Sequence, residues 1–378
     1  MIFEYETLKL IWFVLIGVLL LGFAVTGGFD LGVAALIPSL GKNDAERRLL
    51  LESIGPTWEG NQVWFITAAG ALFAAWPLLY ATIFSSLYLP FLLLLLALIL
   101  RPPGIDFRSK LKSPLWRRTW DYSLFISGFL PIFLFGIAMG NILMGISFYF
   151  DNDLRSHPVG GFFSYINIYT LICGLVSLCI LLFHACLFIQ SKTEGALSDK
   201  SRNSARSFAL LFIISFSIAG YWTLNSIQGF EVVSSPSPGE SFSPVLKKVI
   251  TGQGLWAGNY QKYPLGYLIP AVSIGFVLLA LLFSTLRRPF IALVSNAIAI
   301  AALLISIGFT LFPFILPSVS FPNHSLTIWD AVSSHLTLSW MFWATLLLLP
   351  IVLSYSSWAY WVMRGKVTLD ENEQSGVY

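Results

Sequence analysis

Charge is scarce in this sequence: Asp, Glu, Lys and Arg make up only 11% of its 378 residues, less than half the roughly 25% of an ordinary soluble domain. Together with 56% hydrophobic residues and a mean hydropathy of +0.77, that deficit excludes a soluble enzyme. Cysteine is nearly missing too. Cys173, Cys179 and Cys186 fall within one apolar run, which argues against a disulfide framework and reads as small buried apolar side chains. Histidine is rare: His157 and His324 lie in connections, His335 at the mouth of the last apolar run, and only His184 deep within one. Without a second histidine or a methionine suitably paired with it, His184 reads as a hydrogen-bonding core residue, and no haem is assigned to this chain. The net charge of +3 is small and the basic residues are dispersed through short connections, so nucleic acid is no partner. No Walker loop, dinucleotide fingerprint, nucleophile elbow or metal-ligand spacing is present.

What the chain has in abundance is apolar runs long enough to cross the ~30 Å hydrocarbon core of a bilayer. Runs such as Leu92–Leu100 lack the alternation of a barrel strand, so helices must satisfy the backbone. Apolar windows predict nine spans, near 8–38, 48–75, 78–100, 122–146, 164–190, 204–227, 264–285, 290–312 and 336–363. The expectation is an all-α polytopic membrane protein, residues 1–378 forming a single integral membrane domain. Met1–Glu6 is acidic where a secretory signal would be basic, so the first run is read as a retained span. On the alternation of nine spans, 17 of the 22 basic residues fall on one side and five, Lys9, Arg155, Lys247, Lys248 and Lys262, on the other. The positive-inside rule then places the N-terminus outside, in the periplasm, and the C-terminus in the cytoplasm. The longest connection, 228–263, is outside and carries the turn-rich run Ser234–Gly239.

A charge at the centre of a bilayer costs at least ~2.5–3.5 kcal/mol, so intramembrane carboxylates demand a reason. Asp30 lies between Gly28 and Gly32, a G-x-x-x-G pair that permits close helix approach. Glu52 and Glu59 are one heptad apart in the second span, which would set them on one helix face. With Asp30 they would form a carboxylate ladder rising from the cytoplasm. Pro56 should kink that helix, while Asn61 and Gln62 add amides where lipid-facing residues would be apolar, so this face is expected to point into protein. Two further segments are unusually polar. The basic residues of Arg101–Lys110 read as positive-inside anchors, and Thr327 with Asp330 has capping-box-like spacing at the start of the last span. Trp329 and Trp340 suit an interfacial belt.

Four segments, Gly22–Asp30, Pro56–Trp64, Arg101–Lys110 and Ser325–Ala331, carry a resemblance over essentially the full length to subunit II of the cytochrome bd-type quinol oxidases. The resemblance implies two four-helix bundles plus a peripheral helix, paired with a similarly folded subunit I that carries haem b and haem d. It implies that subunit II ligates no haem but supports assembly and supplies proton and oxygen conduits. In some members it also holds a bound quinone, with small single-span accessory subunits and membrane lipid as further partners, in the bacterial inner membrane. On this chain Glu59 and Asp30 fall at proton-conduit positions and Trp64 near the oxygen route. Two departures stand out: Gly27 and Glu59 occupy positions where better-known members have Asp. Glu52 is a candidate to compensate for the acid missing at Gly27. The rival reading, a proton-coupled transporter, predicts an inverted repeat, and none is visible.

Overall fold

In a computed structural model the protein is described over residues 3–234 and 244–367, and within these it is mostly helical. The first half of the chain comprises α1 (Tyr5–Leu40), α2 (Asp44–Ile54), α3 (Trp58–Ala75), α4 (Pro77–Ser86), α5 (Tyr88–Leu98), α6 (Arg101–Phe107) and α7 (Pro114–Met144). Then follow α8 (Ile168–Lys192), α9 (Gly195–Asn225), α10 (Gly258–Lys262), α11 (Leu268–Thr285), α12 (Pro289–Leu311) and α13 (His335–Val362). Among the described residues eight helical segments are long and apolar enough to cross a membrane: α1, α5 continued into α6, α7, α8, α9, α11 with the turn before it, α12 and α13. The chain is therefore a polytopic helical membrane protein. The 18-residue α3 falls short in apolarity because Glu59, Asn61 and Gln62 occupy its first turns.

α1 lies against α3, α7 and α8, with α5 also on α7, while α8 packs on α7, α9 and α12, and α11 on α12 and α9. These helices enclose an apolar core that includes Leu31, Ile37, Leu124, Phe183 and Phe212. α13 is peripheral, with only 6% of its apolar window buried.

The expected second span, 48–75, is not one helix. Pro56 lacks an N–H and its ring clashes with the carbonyl at position 52, and with Gly55 beside it the chain ends α2 and starts α3 instead of kinking. α2 is capped by Asn43, whose side chain accepts from the Glu46 N–H; its Leu50, Leu51 and Ile54 enter the apolar core while its charged residues lie on the other face. The long connection 228–263 contains a hairpin of β3 (Gln228–Ser234) with β4 (Lys248–Gln253); of its turn-rich run, positions 235–239 lie outside the described residues. Two smaller hairpins accompany it, β1 (Phe148–Phe150) with β2 (Ser156–Pro158) and β5 (Phe314–Leu316) with β6 (Leu326–Thr327).

Candidate functional site

Gly28 and Gly32 do what their spacing predicts. A Cβ on Gly28 would stand 2.9 Å from Leu181 Cδ2, and one on Gly32 would stand 2.5 Å from Ala185 Cβ. Any larger side chain would hold α8 away. The tight approach leaves Asp30, between them, wholly buried at 0% exposure.

Asp30 Oδ2 accepts a hydrogen bond from Asn61 Nδ2 at 2.7 Å, and Asn61 Oδ1 accepts one from the Tyr360 hydroxyl at 2.5 Å. A polar chain thus runs from α1 through α3 to α13. Arg101 lies near enough to Asp30 to interact electrostatically and is only 1% exposed. The Trp58 ring lies 5.8 Å from its guanidinium carbon. Both Nη atoms of Arg101 and Oδ1 of Asp30 are buried without a hydrogen-bond partner. Each such atom costs about 1–3 kcal/mol unless something satisfies it. The acid and the cation thus face the same buried region without a direct hydrogen bond between them.

The other expected site residues are dispersed. Glu59 is exposed on the outer face of α3, together with Val63 and Ile66, and no hydrogen bond or ion pair holds its carboxylate among the described residues. The expectation that these polar residues face protein holds for Asn61, buried against Asp30, and does not hold for Glu59 within this chain. Residues 59 and 61 are ~200° apart around a helix, so when Asn61 turns to Asp30, Glu59 must turn away. Glu52 sits on α2, separated from Glu59 by the break, and is held by Arg48 Nε at 2.7 Å. The shared-face ladder is consequently absent. Gln62 and Trp64 are half-buried, and Trp64 packs so tightly on α1 that a Cβ on Gly22 would lie 2.6 Å from its ring. At Gly27 the Phe23 ring fills the space, 2.5 Å from where a Cβ would be, and meets Phe65 tilted and Phe135 edge-on.

Arg101 and Arg108 are not the surface anchors expected. Arg108 is 1% exposed and binds Asp121 at 2.5 Å and Asp44 at 2.9 Å; Arg47 also holds Asp121, at 2.7 Å. The Pro102-Pro103 pair, which starts a new helix directly after an apolar run, was the available sign that position 101 is turned inward. Tyr360 gave none, since it is one aromatic among many on α13.

On the opposite face of the molecule, buried Lys247 forms an ion pair with Asp330. Burial pushes the lysine pKa down, and Asp330 pulls it partly back. Asp330 Oδ1 also accepts from the Thr327 N–H at 2.9 Å. The pair closes a turn rather than starting α13, whose cap is Ser334. His184 is fully buried; its Nδ1 accepts from Asn296 Nδ2 at 3.1 Å and its Nε2 donates to the Val25 carbonyl at 3.0 Å. This is the hydrogen-bonding core histidine expected.

Comparison with known proteins agrees with this architecture. The family model described as cytochrome bd terminal oxidase subunit II matches residues 8–363. Over 372 residues, and 98% of both chains, the sequence is 41% identical to cytochrome bd-I ubiquinol oxidase subunit 2 of Escherichia coli strain K12. It is 30% identical over 362 residues to cytochrome bd ubiquinol oxidase subunit 2 of Bacillus subtilis, covering 96% of this chain and 97% of that one. A chain of the solved bd oxidase from Geobacillus thermodenitrificans superposes with a TM-score of 0.69 at 15% identity, covering 95% of this chain and 98% of that chain, a likeness of fold alone. The protein belongs to the cytochrome bd terminal oxidase subunit II family and is thus one subunit of a membrane quinol oxidase complex, an oxidoreductase.

Proposed function

We propose that within this complex the chain ligates no haem, supports assembly with subunit I, and carries protons toward it along a route that includes Asp30 and Glu59. The observation that carries the reading is the buried chain Asp30–Asn61–Tyr360 with Arg101 beside it. An ionisable group in this position is a functional-site hypothesis by default. Glu59 complements it from the outer face of α3, where an acid among exposed apolar side chains suits contact with a protein partner better than lipid. Glu52, at the mouth beside Arg48, is the outermost acid of the proposed route, and Gln62 lies one residue beyond Asn61. Trp64, packed on Gly22, borders the proposed path for oxygen.

That the chain holds no haem is supported by His184, the one histidine deep in a span, whose two ring nitrogens are both engaged by protein. Haem b and haem d are accordingly assigned to subunit I. A quinone and small single-span accessory subunits are further proposed partners, in the bacterial inner membrane.

The proposed topology has nine spans, with α3 as the second, α4 and α5 together as the third, and α13 peripheral to two four-helix bundles. Support comes from the way the basic segments meet at one face. Lys200 bonds Glu46 at 2.7 Å, Arg202 Nε donates to the Ser284 carbonyl at 3.0 Å, and Lys366 pairs with Glu194. These contacts bring α2, the α8–α9 turn, the end of α11 and the end of α13 to the side that the positive-inside rule makes cytoplasmic.

The test is Glu59→Gln in the assembled complex, which keeps shape and hydrogen bonding but cannot deliver a proton. Quinol-driven oxygen consumption is expected to fall about tenfold or more with haem content near normal, while Glu59→Asp is mild. Full oxygen consumption by a well-assembled Glu59→Gln complex would sink the relay.

A further inference from the structure

Where α1 ends and α7 begins, the surface folds into a cleft of about 590 Å³ bordered by Pro38, Pro114 and Tyr122. Its lining is basic: six cations face two carboxylates, Asp44 and Asp121. Three of the cations are locked in place. Arg47 and Arg108 grip Asp121, and Arg117 holds Asp44 at 2.7 Å. The other three, Lys42, Lys112 and Arg118, have no carboxylate partner among the described residues, and all are exposed. Neutralising the two acids therefore still leaves a concave surface with four uncompensated positive charges, built on a guanidinium that is 99% buried and unable to move away. The first turn of the 31-residue α7 opens at the rim, and Ser113 gives it no side-chain cap, so the positive end of that helix adds to the field.

Alongside the cleft, from its rim in the first turn of α7 inward, the helix surface is apolar. Leu115, Tyr122 and Ile126 are 75%, 49% and 42% exposed, and spacings of seven and four residues put them on one face of α7. Tyr122 borders both surfaces. A basic pocket at a span end that continues into an exposed apolar helix face matches a molecule with an anionic phosphate head and acyl chains.

We propose that this cleft is a binding site for an anionic phospholipid, its phosphate held by Lys42, Lys112 and Arg118 against the fixed arginines, its chains lying along Leu115 and Ile126. The apolar face selects lipid over free phosphate, which would need only the cations. The reading rests on the membrane placement of the family but not on which side of the membrane is cytoplasmic, so a reversed topology and a failed lipid site would be told apart.

The test uses the intact oxidase complex, stripped of lipid and titrated with phosphatidylglycerol or phosphatidylethanolamine, with bound lipid counted by native mass spectrometry. The triple variant Lys42→Gln, Lys112→Gln, Arg118→Gln alters only exposed side chains free of carboxylate partners, and unchanged haem spectra check its assembly. At about fivefold per cation near a membrane surface, phosphatidylglycerol affinity is expected to drop about 100-fold, with phosphatidylethanolamine unaffected. The pair Leu115→Ser and Ile126→Ser should weaken phosphatidylglycerol while sparing inorganic phosphate. Unchanged phosphatidylglycerol binding in the triple variant overturns the proposal. Binding of inorganic phosphate as tight as that of phosphatidylglycerol, indifferent to the serine pair, overturns lipid as the occupant.

Discussion

Asp30 and Arg101 are both almost wholly buried, and removing one is not equivalent to removing the other. In Asp30→Asn the side chain keeps its shape and can still accept from Asn61, but the guanidinium loses its buried counter-charge. Leaving a buried cation without its counter-charge costs about 3–5 kcal/mol, and a guanidinium cannot escape by losing its proton. In Arg101→Met the survivor is a carboxyl, which can become neutral by binding a proton; the cost falls to the about 1–3 kcal/mol of an imperfectly satisfied polar group. The double variant leaves no buried charge on either side, the amide at position 30 still accepting from Asn61, and should lie within about 1 kcal/mol of the parent, since replacing a buried pair by uncharged side chains of similar volume is often neutral. The ordering, Asp30→Asn worst and the double variant best, can be read from unfolding of the purified complex in mixed detergent micelles titrated with dodecyl sulfate. At about 1.4 kcal/mol per decade, the single aspartate change shifts the unfolding equilibrium roughly 100-fold to several thousand-fold. Equal damage from the two single variants, with strict additivity in the double, would show that the groups are not coupled and refute the reasoning.

Two further outcomes follow from the same geometry. His184→Leu removes the partners of Asn296 Nδ2 and the Val25 carbonyl, so the complex should lose about 2–4 kcal/mol of stability with its haem absorption spectrum unchanged; a missing haem band would reassign His184 as a ligand. Single cysteines introduced at Ser109 and Lys262 test the topology, a membrane-impermeant thiol reagent on intact cells being expected to label position 262 and spare 109, and the opposite pattern reversing the orientation.

The fold was legible where the physics is collective. Long apolar runs, the close-packing glycines of α1 and the buried hydrogen-bonding role of His184 could all be read from local spacing and composition. Legibility failed where one residue decided between continuity and a break. Pro56 removes a donor in either case, and whether the helix kinks or stops depends on what waits on both sides: here a charged α2 with its own Asn43 cap. It also failed for Arg101 and Arg108. A cation beside an apolar run satisfies the positive-inside pattern equally well exposed or buried, and their partners Asp30, Asp44 and Asp121 lie far from them in sequence or across a helix boundary. Tyr360 is 299 residues from Asn61, a pairing that no periodicity reveals.

The exposed position of Glu59 bears on how the two acids can cooperate. Asn61 faces Asp30 through the inside of α3, while Glu59 faces outward on the same helix, so α3 is itself the wall between them. A proton passing from one to the other must go around its N-terminal end, and that end is where the chain is broken. The break at Gly55–Thr57 leaves the first N–H groups of α3 without helical partners, and Thr57 provides no side-chain cap. This places polar backbone beside Trp58 and Arg101 at the depth where the proposed route would have to turn. On this view the proline matters less as a kink than as the reason α3 begins where it does. The glutamate, one methylene longer than aspartate, gives the outer acid more reach toward that opening. The Phe23 ring at Gly27 fills the inner space that an acid at position 27 would need, which leaves Asp30 as the inner acid.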